Sequence, residues 1–367
     1  MARRKISKSD AKKVEKVVKK MSPTAILLAI ILIVVVVGGY YVYKNYFKKP
    51  EQVNGEISFH FMVLGNGDSG DCIYVKAGDN DILIDGGSDY DSMNAITTYL
   101  NRFVADNKLE YVIATHAHLD HIACLAGEKN GSSLFDVYEV GTIIDFPKTN
   151  ATTAVYNRYI QERDAEINAG AKHYTALECY KNQNGGQRVY ELTDDGNVKM
   201  EILYNPYYEQ KTTNENNYSV CLQFLHGNER KFLFTGDLED EGEEYLVDNN
   251  NLSQVKLFKA GHHASYTASN ECLLKVIKPE IYVISGSAGD QYDFPHQDTI
   301  NRIAKYTSEV YITTQTTANG YQAYNGDIVV SSSAESGVTV TCSNIKDKLK
   351  DTDWFKANRV WPSYGVA

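Results

Sequence analysis

The stretch Tyr111-Val112-Ile113-Ala114-Thr115-His116-Ala117-His118-Leu119-Asp120-His121 decides how this chain is read. Its first half is apolar and β-branched, which suits a buried strand. Its second half places three imidazoles and a carboxylate within six residues. Side chains two apart at a strand end point the same way, so His116 and His118 reach one metal together. The chain then turns, and Asp120 and His121 aim at a second metal beside it. Imidazole and carboxylate suit zinc, manganese or iron. The whole chain has nine histidines, so three in one short run favour a metal site over chance.

Working outward, the charge is uneven. Residues 1–50 hold twelve Lys/Arg and two Asp/Glu, a charge of +10. Of the chain's 37 basic and 47 acidic residues this leaves 25 and 45 for residues 51–367, a charge of −20. Such a body repels polyanions at long range, so bulk nucleic acid is disfavoured as a partner, and a small substrate or one with a cationic group fits the field better. Thr24 to Tyr43 is a run of twenty residues without a charge, long enough to cross a hydrocarbon layer about 30 Å thick. Nine basic residues precede it and three follow closely, with Tyr40, Tyr41 and Tyr43 at its far end. The bias predicts a single-pass anchor in a cell membrane, N-terminus cytoplasmic and body outside, and no cleavage signature follows the apolar core.

The expected organisation is a basic head at 1–23, a transmembrane helix at 24–43, a linker at 44–56, one catalytic domain at 57–342 and a polar tail at 343–367. Strand-like runs include Ile57–Val63, Cys72–Lys76, Ile82–Ile84 and Gly141–Asp145. Ser92–Asp106 and Thr152–Ala169 have helical spacing. The second half repeats the style, with strands at Lys199–Leu203, Ser219–Leu225, Lys231–Thr235, Leu257–Lys259 and Ile281–Ile284. Helices are expected at Glu239–Val247, Cys272–Ile277 and Asp298–Tyr306. Strands grouped at the start of each half predict two packed sheets with helices outside. The six cysteines form no Cys-x-x-Cys, so cysteine metal sites have no support.

These runs, taken in order, resemble the metallo-β-lactamase superfamily, and within it the branch that includes the hydrolase domain of the competence protein ComEC. Val63-Leu64-Gly65-Asn66-Gly67-Asp68 resembles its first glycine-rich turn and Ile84-Asp85-Gly86-Gly87 its second. Thr115–His121 matches the metal motif. Asn216-Asn217-Tyr218-Ser219, Thr235-Gly236-Asp237, Lys259-Ala260-Gly261-His262-His263-Ala264-Ser265 and Gln291–Pro295 follow in the expected order. The similarity runs from about Ser58 to about Val330. It implies an α/β, αββα sandwich with metals at the edge where loops of both sheets meet. It implies Asp237 as a bridge between two cations and one of His262 and His263 as the last ligand. Asp85 is expected to orient a ligand, Lys259 to steady negative charge, and Asn217, Ser219 and Ser265 to support the ligands or touch substrate.

Departures matter as well. Many relatives carry a further histidine on the strand before the bridging Asp, where this chain has Asn216–Ser219. A β-lactamase activity is therefore not expected. The implied enzyme is a membrane-anchored hydrolase of a small or cell-surface phosphoester, using water activated by two divalent metal ions, zinc first and manganese as the alternative. Asp120 would orient that water and shuttle a proton. Tyr204, Tyr207 and Tyr208 are candidate aromatic faces for a cationic headgroup. The rival readings are an extracellular nuclease and a non-catalytic metal-binding sensor of the same fold.

Overall fold

In the computed structural model the described residues are Ser22 and 55–366. The expected anchor at 24–43 lies outside them. Among the described residues no helix is long and apolar enough to cross a membrane.

Among the described residues sixteen strands form two eight-stranded sheets. In the first sheet β1 (Ile57–Phe61), β2 (Ile73–Ala77) and β3 (Asn80–Ile84) pair antiparallel. β4 (Lys108–Ile113), β5 (Glu139–Asp145) and β6 (Lys172–Thr175) then continue parallel to β3. In the second sheet β7 (Val189–Glu191), β8 (Val198–Ile202), β9 (Leu222–His226) and β10 (Arg230–Phe234) pair antiparallel. They are followed by parallel β11 (Leu257–Lys259), β12 (Ile281–Ala288) and β13 (Val310–Thr317). β14 (Gly320–Ala323) closes that edge, while β15 (Ile328–Ser333) and β16 (Gly337–Cys342) return to the first sheet beside β1. Both sheets thus pass from antiparallel hairpins to parallel crossovers, as the two halves of the sequence suggest. Parallel neighbours need long connections, and helices supply them.

Period-two alternation sets which face of β1 looks where. Phe59 packs between the sheets, with ring centroids 5.2, 4.7 and 5.3 Å from Phe224, Phe232 and Phe234 of the opposite sheet. Ser58 and His60 point the other way, under helix α1 (Met93–Leu100), where His60 Nδ1 lies 2.8 Å from the Tyr99 hydroxyl. The remaining helices are α2 (Leu119–Ala126), α3 (Leu134–Val137), α4 (Ala154–Ala169), α5 (Ala176–Lys181), α6 (Asp240–Asn249), α7 (Glu271–Ile277), α8 (Gln297–Ile303) and α9 (Asp353–Asn358). Leu246, Leu273, Leu274, Ile300 and Ile303 from α6, α7 and α8 bury the outer face of the second sheet with Phe258 and Tyr282.

Several expectations shift. The strand expected at Ser219–Leu225 begins only at Leu222, leaving Ser219 in a loop. α1 stops at Leu100, six residues before the end of its apolar pattern. The short edge elements β6, α5 and β7 carry no periodic signal because most of their side chains are exposed or only half-buried. The segment after Cys342 is no loose tail: Leu349 and Phe355 are buried in the second sheet's outer core, and Arg359 Nε donates to the Pro295 carbonyl at 2.8 Å.

Candidate metal centre

The ends of the parallel strands converge at one place, as ligand sites in open parallel sheets do. His116 and His118 follow β4, and Asp120 and His121 open α2. Asp85 follows β3, Asp237 follows β10, and His262 and His263 follow β11.

His121 is oriented from behind. Its Nδ1 lies 2.7 Å from Asp85 Oδ2, and Asp85 also accepts from the Thr115 backbone N–H and hydroxyl, each at 2.7 Å. This is the carboxylate-to-imidazole contact that fixes a ligand's tautomer. Asp85 holds a positive φ of 61°, which aims its short side chain into the loop. The Nε2 of His121 then faces Asp237 Oδ2 at 3.0 Å.

His263 is oriented in the same manner by a backbone group. Its Nδ1 donates to the Ser285 carbonyl at 2.8 Å, leaving Nε2 for the site. Nε2 stands 3.4 Å from Asp237 Oδ2 and 3.5 Å from Asp120 Oδ2. The separation between His121 Nε2 and Asp120 Oδ2 is 3.9 Å. Ligands about 2.0–2.1 Å from a tetrahedral ion stand about 3.3–3.4 Å apart, so these four side chains fit one cation. His116 Nε2 and His118 Nδ1, 3.0 Å apart, offer a second pair of donors.

Unpaired atoms point to the same conclusion. Buried Asp237 Oδ1, His263 Nε2 and Asp71 Oδ1 have no hydrogen-bond partner among the described residues. Leaving such atoms bare costs about 1–3 kcal/mol each, and a cation removes that cost. The donor set therefore fits a divalent metal, and the cluster of Asp71, His121, Asp237 and His263 could hold one.

Asp71 is the residue that sequence reasoning missed. Asp68, which ends the first glycine-rich turn, is exposed, whereas Asp71 just after it is buried at the site. Gly70 brings it there, because a Cβ on Gly70 would lie 2.5 Å from Ser88 Cα and 2.9 Å from the Asp120 carbonyl. The available signal was position: Asp71 stands directly before the apolar run that becomes β2. Asp71 nevertheless lies behind the imidazoles, 3.8 Å from His121 Nδ1 and 3.7 Å from His263 Nδ1. Its other oxygen is taken by Lys259. On this geometry Asp120, rather than Asp71, faces the Nε2 atoms.

Lys259 is 1% exposed, ion-paired to Asp71 and 3.5 Å from Asp237 Oδ1. The structure thus places its charge against two site carboxylates.

His262, His263 and Ala264 all have positive φ (45°, 50° and 67°), a strained turn of the kind found at functional sites. The turn buries His263. His262 Nδ1 lies 3.0 Å from Glu239 Oε1 and 3.2 Å from Thr267 Oγ1, and its Nε2 stands 3.8 Å from Asp237 Oδ2. Burial works to raise the Glu239 pKa, but the hydrogen bond from His262, with Asn216 and Asn214, brings it down to about 2.

Of the remaining candidates, Ser219 Oγ accepts from the Asp237 N–H at 3.1 Å and lies 3.5 Å from His116 Nδ1. Asn217 is buried and its Oδ1 caps the Glu239 N–H at 3.1 Å, so it shapes the loop rather than meeting substrate. Ser265 is buried in its own turn against Thr267, 3.0 Å away. Tyr207 and Tyr208 are buried, and the Tyr208 hydroxyl accepts from the Cys221 N–H, while Tyr204 is half-buried with its ring centroid 4.8 Å from that of Tyr180. His226 ends β9, bonded to Glu56 and Ser332, outside the site.

The electrostatics follow from the crowd of carboxylates. Burial opposes charge on His121 and His263, but Asp237, with Asp85 and Asp120 for the first and Asp71 for the second, outweighs it. His121 is held well above the usual range and His263 is pushed up to about 10. His116 is driven well below it by burial and by its neighbours His121 and His118, so it stays neutral. Enclosure opposes ionisation of Asp120, yet His121 and His263 hold its carboxyl far below the usual range. Asp120 keeps a third of its side chain exposed, while those of His121, His263 and Asp237 are covered.

Comparison with known proteins agrees with the motifs. Residues 65–131 match the model of the metallo-beta-lactamase superfamily. The chain is 36% identical over 98 residues to Competence protein ComA of Neisseria gonorrhoeae, covering 26% of this chain and 14% of that protein. It is 28% identical over 111 residues to ComE operon protein 3 of Bacillus subtilis, 30% and 14% of the two chains. It is 29% identical over 98 residues to Recombination protein 2 of Haemophilus influenzae, 27% and 12%. The matched segment thus spans only about an eighth of these relatives. Among solved structures, the metallo-beta-lactamase fold protein YhfI from Bacillus subtilis aligns over 70% of this chain and 96% of its own at 13% identity and a TM-score of 0.40. A diphosphatase of the PhnP family aligns over 70% and 94% at 14% identity and 0.36. Residues 65–131 are thus similar to the metallo-beta-lactamase superfamily model, and this part of the chain resembles the matching segment of the competence proteins.

Proposed function

We propose that this protein is a metal-dependent hydrolase of phosphoesters with two divalent cations, zinc first among them. The observation that carries the proposal is the convergence of His121 Nε2, His263 Nε2, Asp237 Oδ2 and Asp120 Oδ2 at coordination spacing beside the His116–His118 pair. Cations held there supply Lewis acidity and an acidified water.

The chain's own residues do the rest. Asp85 and the Ser285 carbonyl fix the two inner imidazoles so that no reorganisation is needed during reaction. Asp120 is the site carboxylate that solvent and substrate reach, so it accepts the proton of the attacking water. Lys259 pairs with Asp71 and stands 3.5 Å from Asp237, so it balances carboxylate charge at the base of the site. His262, held by Glu239 and partly exposed, presents Nε2 towards Asp237 Oδ2 at 3.8 Å, at the rim of the centre. A phosphoester is favoured because the His116–His118 pair lacks the strand histidine typical of lactamase-like sites, and Asn216–Ser219 stands in its place.

We further infer that residues 24–43 anchor the domain, with residues 1–23 in the cytoplasm. The uncharged run and the basic flank support this. The test of function is metal analysis joined to a phosphoester screen on the full chain, with Asp120→Asn/His121→Ala as control. Metal-dependent turnover lost in the control is expected. Turnover unchanged in the control would sink the mechanism. Protease added to intact cells should remove the body, and full protection would overturn the outward topology.

A further inference from the structure

Chain neighbours of the metal-site residues line a cavity of about 470 Å³, in the range of small-ligand sites. Both of its walls lead back along the chain to the centre. One is the loop after β5, whose Ile144 carbonyl accepts from the Ala114 N–H at 3.0 Å, two residues before His116. The other ends at Tyr218, the residue before Ser219, which touches both His116 and Asp237. The walls are tied together where Asn150 Nδ2 donates to the Thr212 carbonyl at 2.8 Å and the Asn150 N–H to Glu215 Oε2 at 2.7 Å.

The lining carries Lys148, Lys211 and Arg163 beside Phe146, Tyr156 and Tyr218. Arg163 is already neutralised by Asp145 at 2.9 Å and Asp164 at 2.8 Å. Glu215 on the opposite wall is occupied by Thr149 and Asn150. Lys148 and Lys211 have neither an ion pair nor a hydrogen-bond partner among the described residues, although the Lys148 charge acts at a distance on Glu209. In a body of charge −20, two cations without a contact partner lining one cavity call for an anion.

We propose that this cavity receives an anionic group carried by the substrate on its organic arm, a second phosphate beyond the scissile bond. Lys148 and Lys211 are its counter-charges, and Phe146 and Tyr156 cover the connecting carbons. The proposal rests on the hydrolase reading of the adjoining centre and narrows its substrate class to small organic phosphoesters bearing a further phosphate. A cationic headgroup is the wrong charge for this pocket.

The test compares two 4-nitrophenyl phosphodiesters with the metal-loaded full chain. One has a propanediol arm ending in hydroxyl, the other the same arm ending in phosphate. The wild type should prefer the phosphate-ended ester in kcat/KM. Lys148→Ala/Lys211→Ala should cut that preference about tenfold or more through KM, and Lys148→Arg should retain it. Lys211 is exposed, so Lys211→Glu provides the same test should the double variant fold poorly. No preference in the wild type, or one unchanged in the variants, overturns the proposal. A second arm titrates pyrophosphate into chelator-treated protein by calorimetry. Salt-sensitive binding that the double variant loses supports the pocket, and equal or absent binding in both proteins overturns it. If the wild type cleaves neither ester, the phosphoester reading falls and the pyrophosphate arm alone decides the pocket.

Discussion

Asp85 Oδ2 lies 2.7 Å from Nδ1 of His121, and both residues are fully buried. This contact dictates that His121 presents Nε2 to the centre. Asp85→Asn places an amide N–H against the same Nδ1–H, so it forces the ring to flip or change tautomer. Metal affinity should fall by about 10–100-fold with the fold retained. Competition with a chromophoric chelator measures it, and an affinity within twofold or so of wild type would remove Asp85 from its orienting role.

The two adjacent histidines should separate cleanly. His263→Ala removes a donor that stands 3.4 Å from Asp237 and 3.5 Å from Asp120, whereas His262→Ala removes one held by Glu239. Metal stoichiometry by elemental analysis should drop by about one ion per chain in the first variant and hold in the second. Turnover should fall in both. Equal metal loss in the two variants would refute the assignment of His263 as the ligand.

Metal uptake should release protons. In chelator-treated protein the carboxylates around His263 push its pKa up to about 10, so at pH 7 a cation must displace a proton from it. Apparent affinity therefore rises as pH rises from 6 towards 9, about tenfold per unit for each proton displaced. The same raised pKa means that the ion pairs of protonated His263 stabilise the metal-free fold fully below pH about 6.5 and fade as pH climbs through 10. Calorimetry in buffers of differing ionisation enthalpy counts the protons, and zero release would contradict the charged imidazole.

His60 sets an acid limit on stability. Burial, aided by the Arg102 charge, lowers its pKa to about 3. A depressed histidine pKa contributes stability above pH about 6.5 that is lost as pH falls towards 3, on the order of 4 kcal/mol in all. In His60→Asn this loss is absent. Urea melts should show the wild type ahead at pH 7 and the gap shrinking by pH 4. A gap independent of pH would show that His60 does not titrate with unfolding.

Much of the centre was legible because its signals are local. His116, His118, Asp120 and His121 fall within one strand end and the first turn of α2, so spacing alone brings them together. Asp237 emerges directly after an apolar strand, and Asp85 precedes paired glycines, both positions that sequence marks. The edges were harder to read. β6, α5 and β7 are short and half-exposed, so they lack the hydrophobic period that announces longer elements.

The sequence by itself determined the chemistry: a strand followed by His-x-His-x-Asp-His, two more strand-end ligand runs, and alternation that makes two sheets. Each depends on neighbours within a few residues. Only the tertiary structure decided between residues whose local patterns are alike. Asp71 reaches the centre because the Cβ-free Gly70 lets the chain pass against Ser88 and Asp120. His263 is the buried one of the histidine pair because a left-handed turn brings it to the Ser285 carbonyl of β12, a strand over twenty residues away. Lys259, read as a helper of substrate charge, is buried because Asp71, nearly two hundred residues earlier, provides its counter-charge. A buried charge or donor goes where its partner is, and that partner is set by packing across the two sheets.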